Sequence, residues 1–464
     1  MNSSLKSEPK KIMKFVIMSI IGIFLFMAPI PEGEAFNIPL GIAIDWVNAN
    51  IFRAVTVTVA EGAGALNLHH LIAIIAITVS LIGTVLAYTV KPGFIEDNPK
   101  VRELFRCSPV YVVTKVVAFA FAWMIFLDIG PAQVIASHTG DEMIHLVAGL
   151  VTIFIFLAPV MPIITDFGLM EFIGVFIKKV IRALFTLPGR ASVDLMASWF
   201  GSSVASIIIT RGQHERGYYT GREAAVIAVN FSFVSIPFTF VVVRTIGIPE
   251  LFFPFIGVLY LVCIVLAIVM PRLPPLRNLP DTYLPEVGKQ IKEDDKPENA
   301  SNFEWAVYSA SERASQTTAS GIVKAGLSNY LNIFMDLLPI VLAWGTLGLI
   351  IVELTPAFDY ISAPVGMFMS LFQIEGAMDF AHVPLVGFID MFLPALMLGN
   401  APLETQFILG VLSIVQIIYL AETGVLIIKS KMPLGIGKLA IIFAMRTVFA
   451  LPLIVLFTRL FVNL

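Results

Sequence analysis

Residues 192–203, Ser-Val-Asp-Leu-Met-Ala-Ser-Trp-Phe-Gly-Ser-Ser, form an apolar segment that is too short and too broken to cross a bilayer. A transmembrane helix needs about 20 consecutive, mostly apolar residues. Residues 388–402, Phe-Ile-Asp-Met-Phe-Leu-Pro-Ala-Leu-Met-Leu-Gly-Asn-Ala-Pro, have the same pattern, an aspartate in an apolar run that ends at a glycine and a polar residue. Two such segments in one chain predict an internal repeat.

The sequence around the two segments supports this interpretation. A span with a proline inside it precedes each one, at Pro159 and at Pro339, and two apolar stretches of spanning length follow each one. Lys and Arg resist translocation and therefore mark the cytoplasmic side. Arg190 and Arg211 flank the first segment, whereas residues 354–403 contain no Lys or Arg. We therefore expect two re-entrant hairpins that enter from opposite sides, and hence an inverted-topology repeat.

The composition of the 464-residue chain fits a membrane protein. Hydrophobic residues make up 58% and charged residues 14%, whereas a soluble domain has about 25% charged residues. The formal net charge of −3 provides no basic surplus to neutralise phosphates, so a nucleic-acid partner is excluded. Two cysteines, Cys107 and Cys263, cannot supply a four-ligand metal site. We expect an all-α polytopic protein in a lipid bilayer, with no metal and no cofactor.

The apolar stretches predict about nine transmembrane helices in addition to the two hairpins. They lie at 13–30, 70–90, 109–128, 143–165, 223–246, 249–270, 328–353, 404–428 and 438–461. Basic residues at Lys6, Lys10, Lys11 and Lys14 place the N-terminus in the cytoplasm. We expect a multi-pass protein of the bacterial cytoplasmic (inner) membrane.

Four parts follow from this division of the chain. They are N-terminal scaffold helices with an outer interfacial helix (1–140), a first repeat (141–270), a cytoplasmic linker (271–325) and a second, inverted repeat (326–464). Homo-oligomerisation through the scaffold helices stays open.

Residues 217–228, Gly-Tyr-Tyr-Thr-Gly-Arg-Glu-Ala-Ala-Val-Ile-Ala, resemble the YjiH-like membrane proteins, and so do residues 197–203. Those proteins carry the nucleoside-recognition, or Gate, domain. Residues 398–401, Leu-Gly-Asn-Ala, resemble a turn of the related spore maturation proteins. The resemblance covers about 140–464 and implies a transport-type fold built from two Gate units, without implying a nucleoside as the solute.

The candidate substrate-binding residues are polar or small residues in the broken segments and in the spans that follow them. They are Asp194, Gly201, Ser202, Ser203, Asn230, Ser232, Ser235, Asp390, Gly399, Asn400, Ser413 and Gln416. Broken hydrophobic segments at matching positions of two halves indicate a transporter's binding site, and an intramembrane carboxylate is a functional candidate by default. The alternatives are helix capping or pairing with a nearby Arg for the aspartates, close helix packing for Gly201, Ser202 and Ser203, and interhelical hydrogen bonding for the polar residues of the spans.

Glu422 and Arg446 form a candidate ion pair near the cytoplasmic side, acting either as a gate or as a structural pair. Arg446 alone is also a candidate clamp for a substrate carboxylate, because a guanidinium binds carboxylates through two parallel hydrogen bonds. No Walker A motif, zinc-protease motif or nucleophile motif occurs in the chain, so we do not expect an enzyme.

These observations predict a secondary transporter for a small polar organic solute, such as an amino acid, short peptide, nucleoside or organic acid. The site would lie at the membrane midplane between the two hairpins, and access would alternate between the two sides. Coupling to H+ or to Na+ stays open. The alternative is a structural or interaction protein of an envelope complex, which would bind its partner through the linker 271–325.

Overall fold

A computed structural model describes residues 8–32, 35–57, 66–136, 139–185, 187–201, 203–232, 234–289, 300–354 and 356–462. Almost all regular structure in these residues is helical. The helices are α1 (Pro9–Met27), α2 (Pro39–Val47), α3 (Leu68–Thr89), α4 (Gly93–Glu96), α5 (Pro99–Phe105), α6 (Pro109–Leu127), α7 (Ala132–Ile135), α8 (Gly140–Thr165), α9 (Leu169–Val180), α10 (Ala191–Met196), α11 (Ser203–Glu215), α12 (Gly221–Asn230), α13 (Ile236–Ile246), α14 (Phe252–Val269), α15 (Asn302–Gln316), α16 (Ala319–Asn332), α17 (Leu338–Leu354), α18 (Pro356–Ser370), α19 (Val383–Val386), α20 (Leu393–Leu396), α21 (Leu403–Val415), α22 (Val425–Lys429) and α23 (Ile436–Phe461).

In addition to short π-helical and 3-10 turns, four short strands also occur among the described residues. They are β1 (Ile30–Glu32), β2 (Ala35–Asn37), β3 (Thr56–Val57) and β4 (Leu66–Asn67). They form two small sheets, β1 with β2 and β3 with β4.

Among the described residues, six helical segments are long and apolar enough to cross a membrane. They are Leu68–Thr89, Pro109–Leu127, Met143–Thr165, Pro249–Arg272, Ala319–Ile350 and Ile436–Phe461. Two shorter apolar helices, α13 and α21, lie among them in the sequence. The expectation of an all-α polytopic membrane protein is confirmed.

Contacts group the chain into two units. The first unit contains residues 1–36, 163–318 and 362–464, and the second contains residues 37–162 and 319–361. All candidate site residues belong to the first unit. The predicted boundaries at 140, 270 and 325 stay a prediction.

The span expected at 223–246 is interrupted. Helix α12 ends at Asn230, α13 begins at Ile236, and the residues between them are not helical. Pro237 lies in the first turn of α13, where its missing N–H costs nothing. In a continuous helix the proline ring would clash with the carbonyl four residues earlier, so the break falls just before it.

The span expected at 404–428 is interrupted as well. Helix α21 ends at Val415, and a π-helical turn at Leu420–Gly424 leads into α22. Ile417 between them has a φ of 63°, a left-handed conformation that is unfavourable for a β-branched residue. The hydroxyl of Thr423 accepts a hydrogen bond from the Tyr419 N–H at 3.0 Å and so caps the new helical turn.

A continuous helix follows each interrupted one, α14 after α13 and α23 after α22. Helix α23 packs antiparallel to α21, because Arg446 bonds to the carbonyl of Val415 and Arg459 bonds to Glu404 at 2.8 Å. In the first unit, an interrupted helix followed by a continuous helix therefore occurs twice.

The two broken segments also differ from regular spanning helices. In the first, α10 continues into a π-helical turn at Ala197–Gly201, and α11 follows it. In the second, the short helices α19 and α20 are joined by turns. Two prolines and a glycine in this stretch, Pro384, Gly387 and Pro394, are consistent with the short helices.

Part of the predicted linker folds onto the first unit. Helix α15 begins with a capping box between Ser301 and Glu304 and packs against α9 and α1. Lys11 pairs with Glu312 at 2.6 Å, and Arg313 pairs with Asp166 at 3.3 Å. Lys11 lies on α1, and Arg313 also pairs with Glu171 on α9 at 3.6 Å, so opposite charges link α15 to both neighbouring helices.

In the second unit, the long helices α3, α6 and α17 pack against one another. The buried Lys115 on α6 pairs with Asp336 at 2.9 Å and donates to the carbonyl of Leu104 at 3.0 Å. A buried lysine needs such partners, because an unpaired charge away from water is costly.

Candidate functional site

Arg446 joins the ends of the two interrupted helices. Its side chain is fully buried on α23. Nε and Nη2 donate to the carbonyl oxygen of Val415 at 2.9 and 2.7 Å. Nη1 donates to the carbonyl oxygen of Val229 at 3.1 Å and to Oδ1 of Asn230 at 2.8 Å. One guanidinium therefore binds the carboxyl ends of both α12 and α21.

Peptide dipoles balance the charge of Arg446. The last carbonyls of a helix carry a partial negative charge because they lack partners inside the helix. In the part of the chain that the structure describes, no carboxylate lies within ion-pair distance of the Arg446 guanidinium. The predicted partner Glu422 follows the second interruption, but its side chain lies outside the described residues.

The first interruption contains three of the predicted site residues, all buried. Asn230 uses its amide twice, because Nδ2 donates to the carbonyl of Val226 at 3.0 Å and Oδ1 accepts from Arg446. Ser232 Oγ donates to Ser206 Oγ at 3.3 Å, which connects the break to α11. Ser235 occupies the N-cap position of α13, without a capping bond from its side chain.

Gln416 stands at the second interruption and is fully buried. Its Nε2 donates to the carbonyl of Pro384 at 3.0 Å and to Thr447 Oγ1 at 2.8 Å. Its Oε1 is buried and has no hydrogen-bond partner among the described residues. Gly387 makes room for it, since a Cβ at that position would lie 2.3 Å from Gln416 Oε1. By contrast, Ser413 Oγ donates to Gly410 on its own helix at 2.7 Å.

Asp194 lies on α10 and is completely buried. Thr210 Oγ1 donates to its Oδ1 at 2.6 Å, and the Tyr219 hydroxyl donates to its Oδ2 at 2.6 Å. The carboxylate thus ties α10 to α11 and to the start of α12. It has two hydroxyl donors and, among the described residues, no basic side chain at ion-pair distance.

The other predicted residues of the first broken segment lie close by in the sequence. Gly201 ends the π-helical turn, and Ser203 is buried at the start of α11. Ser202 between them lies outside the described residues.

Asp390 accepts a hydrogen bond from the Phe392 N–H at 2.8 Å. This is the capping geometry of an aspartate in a turn, and here it precedes α20. Gly399 and Asn400 are exposed, and the carbonyl of Gly399 accepts from Gln406 Nε2 at 3.0 Å. Gln406 is nine residues before Val415 on α21, about 13 Å along the helix. The structure therefore does not bring Gly399 and Asn400 to Arg446.

Sequence reasoning missed Thr210, Tyr219 and Ser206. Tyr219 lies in residues 217–228, the segment that carries the family resemblance, so its place in that motif is the sequence signal for it. Thr220 and Glu223 form a capping box at the start of α12, and Thr220 Oγ1 donates to Asp281 at 2.6 Å. The motif thus starts the first interrupted helix and holds Asp194 beside it.

The segment that follows α14, around residues 280–282, forms hydrogen bonds with the first turn of α12. The Gly221 N–H donates to the carbonyl of Thr282 at 3.0 Å, and the Arg222 N–H donates to the carbonyl of Pro280 at 3.1 Å. These bonds satisfy backbone donors that the first turn of a helix leaves open. The linker residues therefore belong to the support of the site.

Comparisons with known proteins identify a domain family and a relative. The Gate family, described as nucleoside recognition, matches residues 147–249, which include Asp194, Tyr219 and the first interruption. An uncharacterized protein of Alkalihalophilus pseudofirmus is 38% identical over 454 residues, which cover 97% of this chain and 94% of that protein. No solved structure matches the chain. The chain therefore carries a Gate, or nucleoside recognition, domain and belongs to the same family of proteins as this relative.

Proposed function

We propose that the protein is a secondary transporter that moves a small polar organic solute across the bacterial cytoplasmic membrane. The observation that carries the proposal is the meeting of two interrupted helices at Arg446. Non-helical backbone at membrane depth is tolerated only where protein buries it or where it lines a cavity. Transporters place their substrate sites at such interruptions.

Neutral hydrogen-bonding groups dominate the two interruptions. Ser232 and Ser235 offer hydroxyls at the first, and Gln416 offers an unpaired amide oxygen at the second. A buried acceptor without a donor is costly, and a solute with hydroxyl or amine groups would satisfy it. A nucleoside or an amino acid meets this requirement, and the description of the Gate family makes nucleosides the first class to test.

We favour H+ over Na+ as the coupling ion. In transporters with interrupted helices, Na+ is coordinated by carbonyls at half-helix C-terminal ends. Here Arg446 already occupies the ends of α12 and α21. The buried Asp194, with hydroxyl donors and no cation at ion-pair distance among the described residues, is the candidate proton carrier.

The repeated order of interrupted and continuous helices suggests how access alternates. We propose that the two repeats have inverted topology and that the segments 191–215 and 383–402 move relative to the two helix ends that Arg446 joins. Helix α11 packs against α22 and the π-helical turn before it, so its displacement would alter the surroundings of both interruptions.

The test combines a ligand screen with flux measurements. A ligand of the folded state raises its apparent stability, so a thermal-shift screen of nucleosides, amino acids, dipeptides and organic acids selects the solute. Uptake of that solute into proteoliposomes is then driven either by a pH gradient or by a Na+ gradient. Uptake driven by the pH gradient alone supports the proposal. Absence of uptake under both gradients, with ligand binding retained, contradicts it.

A further inference from the structure

A cavity of about 210 Å³ lies in the first unit, between α9, α10, α12 and α14. Its lining includes Ile177, Leu184, Leu195, Asn230, Ile264 and Ala267. It is larger than the roughly 150 Å³ apolar cavity that accommodates benzene in an engineered protein. The cavity is therefore large enough to hold part of a hydrocarbon chain.

The lining does not suit a polar solute. Nearly all lining residues are aliphatic or aromatic. The amide nitrogen and oxygen of Asn230 are already bonded to Val226 and Arg446. A cavity lined almost entirely by apolar side chains binds mainly apolar groups.

The cavity borders the outer surface of the unit. Val180, Leu184 and Ile264 line it and are 46, 42 and 38% exposed. Large aliphatic side chains exposed on a membrane protein face the lipid, because the bilayer interior is as apolar as they are. The opening is thus accessible to an acyl chain from the bilayer.

Basic residues occur in the same stretches of chain as the lining residues. Lys179 and Arg182 belong to the helical stretch that contributes Leu184, and all three are exposed. Arg272 follows α14 and directs Nη2 toward the carbonyl of Leu184 at 3.4 Å. No acidic residue occurs in 172–193 or in 251–280. This charge is complementary to an anionic headgroup, as in basic pockets between helices that bind acidic lipids.

We propose that this cavity is a binding site for an anionic phospholipid. One acyl chain occupies the cavity, and the phosphate lies at Arg182 and Arg272. Since Asn230 lines the cavity and also binds Arg446, the occupied site adjoins the helix ends that Arg446 joins. The proposal is independent of the transported solute.

Native mass spectrometry tests the site on the full chain in detergent. Phosphatidylglycerol and phosphatidylcholine with identical acyl chains are offered at equal concentrations. We expect at least fivefold more phosphatidylglycerol adducts, and a ratio near one for the Arg182→Gln, Arg272→Gln double variant. Arg216→Gln is the control, because Arg216 is exposed and does not lie at the cavity. Equal retention of both lipids by the wild type would overturn the proposal.

A second pair of variants tests the acyl-chain position. Ile264→Trp blocks the opening and should lower adducts of both lipids at least threefold, whereas Ile208→Trp, at an exposed position on α11, should not. Brominated phosphatidylglycerol should quench the fluorescence of Trp199, which lines the cavity, and Trp199→Phe should remove that component. Unchanged adducts in Ile264→Trp, or quenching that is the same in Trp199→Phe, would refute the site.

Discussion

Arg446 and Val415 are joined by two hydrogen bonds, from Nε at 2.9 Å and from Nη2 at 2.7 Å, to a single carbonyl oxygen. The remaining bonds of the guanidinium reach Val229 and Asn230, 217 and 216 residues earlier in the chain. A side chain on a continuous helix thus caps two interrupted helices at once. Their buried carbonyl groups would otherwise lack these donors, and a buried carbonyl without a donor is costly.

Replacing Arg446 by leucine should destabilise the protein by about 3–5 kcal/mol, because buried carbonyl groups lose their donors. The stability of Arg446→Lys should lie between those of the wild type and Arg446→Leu, since an ammonium group keeps the charge but lacks the planar set of donors of a guanidinium. Denaturant unfolding in mild detergent measures both changes. Arg459→Leu is the control. Arg459 forms a partly exposed ion pair with Glu404, and the loss of such a pair should cost less than about 1 kcal/mol. Equal stability of Arg446→Leu and Arg459→Leu would contradict the capping role.

Gly387→Ala should destabilise the protein by about 1–3 kcal/mol, the usual cost of overpacking. The added methyl group would lie 2.3 Å from Gln416 Oε1, whereas a methyl group at Gly399 meets nothing within 4 Å. Gly399→Ala is therefore the matched control. Much of the loss should disappear in the Gly387→Ala, Gln416→Ala double variant, because neighbouring substitutions are not additive. A purely additive cycle would argue against this contact.

Tyr219→Phe should lower the stability by about 1.5–3 kcal/mol, the range for a hydrogen bond to a charged group. The Tyr219 hydroxyl donates to Asp194. By contrast, Tyr218 contacts the guanidinium of Arg190 with the face of its ring, a contact that does not need the hydroxyl. Tyr218→Phe should therefore have little effect. Repeating Tyr219→Phe in an Asp194→Asn background should give a smaller loss. If both tyrosine variants unfold alike, the bond to Asp194 is not what stabilises this region.

The stability of α15 should depend on pH through Glu304. The Ser301 N–H donates to its carboxylate at 3.0 Å, and this bond, together with the Ser301 side chain, holds the pKa of Glu304 below its ordinary value of 4.5. The stabilisation of α15 by the Glu304 carboxylate is therefore fully present above the pKa of the unfolded state. It is lost as the pH falls through the lowered pKa of the folded state. Hydrogen exchange of residues 301–316 should be slower in the wild type than in Glu304→Gln at pH 6. The two should converge near pH 3, and a difference that grew on acidification would refute the assignment.

Composition and the long apolar stretches were sufficient to predict an all-α polytopic membrane protein. A segment in the apolar bilayer interior must have apolar side chains and must pair its own backbone groups, and a helix does both. The interruption before Pro237 had a visible signal in the proline itself. The interruption at Ile417 had none, because its conformation depends on the contacts of Gln416 with Pro384 and Thr447. Tertiary contacts of this kind cannot be read from local sequence.

The candidate site was only partly predictable for the same reason. Asn230, Ser232 and Gln416 were identified as polar residues within apolar spans, and the structure places them at the interruptions. The predicted pairing of Arg446 with Glu422 stays a prediction, because the Glu422 side chain lies outside the described residues. The hydrogen bonds that the structure gives Arg446 go to two backbone carbonyls and to Oδ1 of Asn230, and no sequence pattern displays them. Asp390 has the alternative role of an aspartate in a turn, since its side chain accepts from Phe392.

Uptake by a Gln416→Leu variant tests most directly whether the interrupted helices form the transport site. The solute selected by the thermal-shift screen is measured in proteoliposomes under a pH gradient, with Gln133→Leu, at an exposed position on α7, as the control. We predict that Gln416→Leu keeps its folded yield but transports at less than about one tenth of the wild-type rate, a loss of roughly 1.4 kcal/mol in effective interaction, while Gln133→Leu transports normally. A folded Gln416→Leu protein that transports at the wild-type rate would contradict the account.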